Sequence, residues 1–419
     1  MVRSSKTIVI KLGTSSICDE VSHEPLISNL SLVIETATKL RRDGHKVVIV
    51  SSGGIAMGLR RLDLPKRPKQ LSTVQAIAAI GQCRLIALWD ELFQQLRQPI
   101  AQILLTRNDI ADRSQYLNAK NTLSELLNMG VIPIVNENDT LAVSEIKFGD
   151  NDTLSAITAA MVSADYLFLM TDVDCLYTDN PRTNPSAVPI EVVSDFATLT
   201  ADVSSAGSSV GTGGMYTKII AAKLATSAGV TTVITRGSIP SNIPKIVTGL
   251  SSTSHPQTPS STRTSVTTED PSSTTLITSG LQESSISPKL PLHTRFTPSD
   301  HPVRDRHIWL LHGLHVEGTI VIDEGALKAL TRRDKAGLLP AGIVSVEGHF
   351  GSQQAVSLCV KGAEGVVREV GRALTNYSSI EVDRIKGHQS HELESLLGYS
   401  DTEYVAHRDN LAFFMTHKA

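Results

Sequence analysis

The sequence predicts an α/β chain: an open, mostly parallel αβα sandwich over residues 1–300, followed over residues 301–412 by a small β domain, a β-barrel-like unit or a sandwich. Three observations predict it. Short apolar runs alternate with longer helical segments, the pattern of strands buried on both faces of a parallel sheet. The unusual polar and glycine residues fall at the C-terminal ends of those runs, where such sheets bind ligands. A Ser/Thr/Pro segment then separates the alternation from a glycine-punctuated, β-rich tail.

Thr7 to Leu12 is a β-branched run that carries Lys11 at its end and breaks into Gly13-Thr14-Ser15. A helix from about Leu26 to Arg42 is closed by Gly44, and Lys46 to Val50 forms the second strand. It ends in Ser51-Ser52-Gly53-Gly54, a glycine loop entering a helix. A helix from about Gln70 to Leu96 is rich in Ala and Leu, interrupted by Gln75, Gln82 and Arg84. Pro99 to Leu105, a helix from about Ser114 to Asn128, and Val131 to Val135 continue the alternation; the last strand ends in Asn136-Glu137-Asn138-Asp139. Leu141 to Phe148 reads as a hairpin arm, and Gly149-Asp150-Asn151-Asp152 opens another helix. Asp165 to Met170 delivers Thr171-Asp172, and Thr231 to Thr235 is the next strand.

Between them lies Gly211-Thr212-Gly213-Gly214-Met215-Tyr216-Thr217-Lys218, a glycine loop running into a helix. Three glycines let backbone N–H groups approach an anion closely, and the helix start adds its positive dipole end. It is not a Walker A loop, for the chain contains no GxxxxGK[ST]. Of the 30 residues from 251 to 280, 21 are Ser, Thr or Pro, too polar to offset the entropy of ordering them, so a disordered insertion is expected at about 251–289. Ile308 to Leu311, Gly318 to Ile322, Gly342 to Val346 and Ala355 to Val360 are the expected strands of the tail.

Composition narrows the function. Lys plus Arg (39) nearly balance Asp plus Glu (42), so no basic excess advertises nucleic acid or a membrane surface. The four cysteines are scattered without CxxC spacing, and no apolar run reaches signal or membrane-spanning length; a cytoplasmic enzyme acting on a small molecule is expected. Lysines at strand ends are ordinarily solvated, and Asp or Asn before a helix is ordinarily a cap. Two lysines, two glycine loops and several carboxylates on one sheet edge exceed what caps explain. Such a set suits phosphoryl transfer to a carboxylate, because an acceptor already ionised at neutral pH needs no general base.

Lys11-Leu12-Gly13-Thr14-Ser15, Ser52-Gly53-Gly54-Ile55-Ala56, Val135-Asn136-Glu137-Asn138-Asp139, Gly149-Asp150-Asn151-Asp152, Thr171-Asp172 and the loop from Gly211 to Lys218 resemble, in order and spacing, the motif series of the glutamate 5-kinase family. This family belongs to the amino-acid kinase superfamily. The tail, with Val321-Ile322-Asp323-Glu324-Gly325-Ala326 and Ala406-His407-Arg408-Asp409, resembles the PUA domain attached to many of these kinases. The resemblance implies L-glutamyl 5-phosphate synthesis from glutamate and ATP, the first step of proline synthesis. It implies Lys11 and Lys218 on the phosphates, with Asp152 organising them. Ser52, Asp139 and Asn151 would hold glutamate, Asp139 meeting its ammonium and Asn151, with nearby backbone donors, a carboxylate. Thr171, Asp172, Thr212, Gly213, Gly214, Met215, Tyr216, Thr217 and Lys218 would hold the nucleotide, with Mg²⁺ carried on ATP rather than in a protein metal site. Tyr216 departs from the family, which commonly has a smaller residue there.

The resemblance further implies feedback inhibition by proline near Thr106-Arg107-Asn108-Asp109, a homo-oligomer, and a glutamyl phosphate reductase that takes the labile product. Two rivals stand beside it. Another amino-acid kinase, for aspartate, acetylglutamate or a nucleotide, would share the fold and both lysines. An RNA-binding PUA protein is the other class, disfavoured because the tail has no Lys/Arg stripe interleaved with aromatics.

Overall fold

The structure is a computed structural model that describes residues 5–141, 151–196, 199, 214–253, 290–299, 302, 307, 309–332, 336–361, 367–399 and 402–414. Residues 142–148 of the expected hairpin arm, Gly149, Asp150, Gly211, Thr212, Gly213 and all but the first residues of the expected insertion lie outside them. The first domain runs β1 (Thr7–Leu12), α1 (Thr14–Ile17), α2 (Ile27–Arg42), β2 (Lys46–Ser51), α3 (Gly54–Arg61), α4 (Leu71–Gln94), β3 (Ile100–Leu105), α5 (Arg107–Ala111), α6 (Arg113–Asn128) and β4 (Ile132–Glu137). It continues with α7 (Asn151–Met161), β5 (Tyr166–Thr171), β6 (Leu176–Tyr177), β7 (Pro189–Ile190), β8 (Val192–Val193), α8 (Met215–Ser227), β9 (Thr231–Arg236), α9 (Asn242–Thr253) and β10 (Thr294–Phe296).

Eight strands form one sheet in the order β3-β4-β2-β1-β5-β9-β10-β8. Every neighbouring pair is parallel except β9 and β10, so the expected open, mostly parallel sheet is what forms. The apolar runs read as strands because both faces are covered. Ile8, Ile10, Leu12, Val47 and Ile49 join one core with Leu85, Trp89 and Phe93 of α4, whereas Val9, Val48 and Val50 join the opposite core with Leu123 of α6, Leu154 of α7 and Ala221 of α8. Period-2 alternation along a strand buried on both sides is apolar at every step.

The chain leaves β1 toward β2, β3 and β4, then returns to place β5 on the other side of β1. That reversal is where an open α/β sheet offers a crevice at its C-terminal edge. Thr294–Phe296 joins the same sheet, pairing with β9 on one side and β8 on the other. Residue-scale packing fixes the crevice walls. Gly53 has φ +98°, left-handed backbone with Ile17 against it, and a Cβ on Gly81 would lie 1.7 Å from the Gly54 carbonyl oxygen, so α3 and α4 meet backbone to backbone.

Helix α4 is long and apolar enough to cross a bilayer by length and composition, which the reading of the sequence did not anticipate. Here Leu85, Leu88, Trp89 and Phe93 pack it on the sheet instead.

In the tail, β11 (Val316–Ile322), β12 (Ile343–Gly348), β13 (Ala355–Lys361), β14 (Val367–Leu374) and β15 (Leu411–Phe413) form a separate sheet in the order β12-β11-β13-β14-β15. The strand expected at Ile308 to Leu311 is a correction: Trp309–Gly313 is a π-helical turn. The cause is tertiary. The Trp309 indole Nε1 donates to the Ile110 carbonyl at 2.8 Å, and the Arg113 guanidinium lies over both the Tyr116 ring (5.5 Å) and the Trp309 ring (5.4 Å). Leu310, Leu311 and Leu314 join the core of the first domain, so the turn serves as the anchor of the tail on α5 and α6.

Candidate active site

The two lysines that could have been ordinary surface groups are buried, Lys11 at 4% and Lys218 at 7% exposure, around a fully buried Asp152. Lys11 reaches the site from the end of the central strand, and Lys218 from the first turn of α8. Lys11 Nζ lies 2.5 Å from Asp152 Oδ1, and Lys218 Nζ lies 3.3 Å from Oδ2. The Thr217 hydroxyl is 2.9 Å from the same Oδ2 and 2.8 Å from the Gly214 carbonyl. Burial by itself would raise the Asp152 pKa. The charges of Lys11 and Lys218, helped by hydrogen bonds from Lys11 and Thr217, outweigh it and bring the carboxyl from 3.8 down to about 2. Two cations held by one anion leave a net positive centre inside a low-dielectric site, suited to a strongly anionic ligand.

Asn151 and Asp152 open α7, where an Asx cap would be the ordinary reading, yet both side chains reach to other elements. Asp152 turns to the lysines. Asn151 Nδ2 lies 2.9 Å from Ser52 Oγ, 3.2 Å from the Ser51 carbonyl and 2.9 Å from Asn136 Oδ1. Asn136 Oδ1 also accepts from the Glu137 backbone N–H (2.9 Å), while its Nδ2 donates to Gln82 Oε1 (2.9 Å). The Trp89 indole donates to Ser51 Oγ at 3.2 Å. Asp139 stands in the turn just beyond β4, on the same edge.

The other side of β1 carries a second group. Thr171, at the end of β5, is buried and donates to Asp172 Oδ1 at 3.0 Å; Asp172 Oδ2 pairs with Arg182. Arg236, at the end of β9, makes a two-point bridge to Asp174 (2.7 and 2.9 Å). Helix α8 is preceded by Gly214, an N-cap with extended backbone and no side chain to cap the helix, so its first-turn amides point to the same edge. Met215 and Tyr216 occupy that first turn; Tyr216 is 58% exposed, so its larger side chain points to solvent. Thr212 and Gly213 lie outside the described residues.

The structure therefore brings Lys11, Asp152, Thr217 and Lys218 into direct contact, gathers Ser52 and Asn151 on the β2 and β4 side, and sets Thr171 and Asp172 on the β5 side. It adds Gln82, Asn136, Trp89, Asp174, Arg182 and Arg236, to which reading the residues assigned no role. The signal for Gln82 was present, since it interrupts an apolar helix, but its partner could not be read from that. The amide N–H groups of Asn151, expected to meet a carboxylate together with nearby backbone donors, face three protein acceptors.

Residues 6–236 match the Amino acid kinase family and residues 318–397 match the PUA domain. A relative in Schizosaccharomyces pombe named "Probable glutamate 5-kinase" is 61% identical over 406 residues, covering 97% of this chain and 92% of its own. A "Glutamate 5-kinase" of Rippkaea orientalis is 44% identical over 409 residues, covering 97% and 99%. Among solved structures, an isopentenyl phosphate kinase substrate complex aligns with 58% of this chain and 95% of its own at TM-score 0.43 and 17% identity.

Proposed function

Because this chain belongs to the amino acid kinase family, and within it to the glutamate 5-kinases, we propose that it transfers the γ-phosphoryl group of ATP to the γ-carboxylate of L-glutamate, forming L-glutamyl 5-phosphate, the first step of proline synthesis. The observation that carries this reading is the pair of buried lysines sharing Asp152 at the reversal point of the sheet. A γ-carboxylate oxygen bonds to the γ-phosphorus as the bond from phosphorus to the β–γ bridging oxygen breaks, and ADP leaves with that electron pair. The carboxylate is ionised at neutral pH and gives up no proton, which fits a site built from cations and amides rather than from a base. Lys11 and Lys218 offset charge on the moving group, and Asp152 holds both in position.

In this reading Ser52, Asp139 and Asn151 hold glutamate. Thr171, Asp172 and the segment from Thr212 to Lys218 hold the nucleotide. Mg²⁺ would enter with ATP and neutralise part of the phosphate charge. Among the described residues no three His, Cys, Asp or Glu side chains gather as a metal site, and Mg²⁺ commonly binds through substrate phosphates with few protein ligands.

The acceptor is tested by trapping. An acyl phosphate is a mixed anhydride that hydroxylamine converts to a hydroxamate, whereas phosphorylated hydroxyls and phosphates are left alone. ATP-dependent hydroxamate is expected from L-glutamate and little from aspartate or N-acetylglutamate, since polar groups left buried and unpaired penalise the poorer ligand. Asp139→Ala should raise the glutamate KM by roughly tenfold or more, the loss of a charge-assisted contact. Equal hydroxamate from N-acetylglutamate, which has no ammonium, would refute the pocket.

The proposal extends to proline as an inhibitor acting near Thr106 to Asp109. Asp109 also supports the fold locally, since its Oδ2 accepts from the Thr106 backbone N–H (2.6 Å) and hydroxyl (2.7 Å) and so closes a capping box on α5. Asp109→Asn therefore weakens the start of α5 as well as removing a charge. A several-fold higher half-inhibitory proline concentration with glutamate turnover retained is expected; wild-type proline sensitivity in this variant would rule the segment out.

A further inference from the structure

We propose that Gln82 is a positioning residue for the amino group of the substrate, acting through Asn136 to hold Asn151 with its carbonyl oxygen toward that group; this rests on the glutamate reading above. The polarity of this amide chain is set by two backbone groups. A carbonyl only accepts and a backbone N–H only donates. The Ser51 carbonyl faces Asn151 Nδ2, and the Glu137 N–H faces Asn136 Oδ1, so neither amide can be turned over without opposing like groups. Asn136 Nδ2 is then left to donate, and Gln82 Oε1 receives it.

The consequence lies at the other end. With its N–H groups directed at Ser51, Ser52 and Asn136, Asn151 keeps only Oδ1, which is buried and has no hydrogen-bond partner among the described residues. A buried acceptor without a donor is costly and asks for one. In glutamate at neutral pH both carboxylates only accept, and the ammonium alone donates. Asn151 Oδ1 therefore suits the ammonium, together with the carboxylate of Asp139.

Gln82 holds its place because of its neighbours. Gly81 touches the Gly54 backbone with no room for a Cβ, and a Cβ on Gly54 would meet Gln82 Oε1 at 3.1 Å. The side chain thus projects from a helix that cannot slide away from α3. Seven residues on, Trp89 of the same helix bonds Ser51, so α4 braces both ends of the amide chain.

The test compares L-glutamate with glutarate, the same dicarboxylate without the ammonium, in wild type, Gln82→Met and Gln82→Glu. Gln82→Met keeps the size and removes the acceptor; Gln82→Glu keeps an acceptor oxygen toward Asn136. Gln82→Met is expected to raise the glutamate KM by roughly tenfold or more, with the ATP KM within about twofold, and to shrink the preference for glutamate over glutarate by the same factor. Gln82→Glu should restore most of that preference. Equal losses on both substrates, or no loss on either, would overturn the positioning role. Should Gln82→Met not fold, Gln82→Asn withdraws the acceptor by one methylene and is read in the same way. A wild type inactive with glutamate would overturn the glutamate reading and this proposal with it, and the wild type alone reveals that case.

Discussion

Asp152→Asn is expected to lower turnover by on the order of a hundred- to a thousandfold and to cost roughly 3–5 kcal/mol of stability, the usual penalty for leaving buried charge unpaired. Asparagine keeps the shape but not the charge, and Lys11 and Lys218 would then face each other inside the protein with no anion between them. Turnover from the hydroxamate assay and the melting temperature report the two effects separately. A folded variant with wild-type turnover would remove Asp152 from the mechanism, and an unchanged melting temperature would mean the lysines find other partners.

The same carboxylate predicts an acid limb. Its pKa is depressed on folding, so its contribution is present above the unfolded value of 3.8 and is lost as pH falls from there through about 2. It amounts to roughly 2–3 kcal/mol, at about 1.4 kcal/mol for each pH unit between the two values. Asp152→Asn should lack that part of the pH dependence.

Lys218→Ala is expected to lower turnover by on the order of a hundredfold or more, and Lys11→Ala to behave alike, because each removes one of two preorganised cations from the path of the phosphoryl group. A lysine at a loop-helix junction ordinarily contributes little packing. The burial of Lys218 changes that: Ala leaves a cavity, and Asp152 keeps Lys11 and Thr217 as partners, so a fall of a few degrees in melting temperature should accompany the kinetic loss. Near-normal turnover in a well-folded variant would exclude that lysine from the chemistry.

Much of the architecture was legible without coordinates. Thr7–Leu12, Lys46–Ser51, Tyr166–Thr171 and Thr231–Arg236 announce themselves as buried strands by apolar runs, and the parallel sheet, its ligand edge and the glycine loops follow from local pattern. The residue types that phosphoryl transfer needs were visible at a strand end, as with Lys11, and at helix starts, as with Asp152 and Lys218. The short strands Pro189–Ile190 and Val192–Val193 were not read, for two residues carry no periodicity.

What only tertiary structure decided is which groups meet and with what polarity. Ile308 to Leu311 has the composition of a strand, yet Trp309 and its neighbours form a π-helical turn because the indole finds a carbonyl 199 residues away. Asn151 has the local setting of a cap, but its amide is oriented by Ser51, 100 residues distant, and by Asn136, which in turn leans on Gln82 across 54 residues. Hydrophobic periodicity is a property of neighbours along the chain, so the strands could be read from it; the direction of a buried hydrogen bond is set by whichever donor or acceptor the fold brings within about 3 Å, and no spacing in the sequence records that.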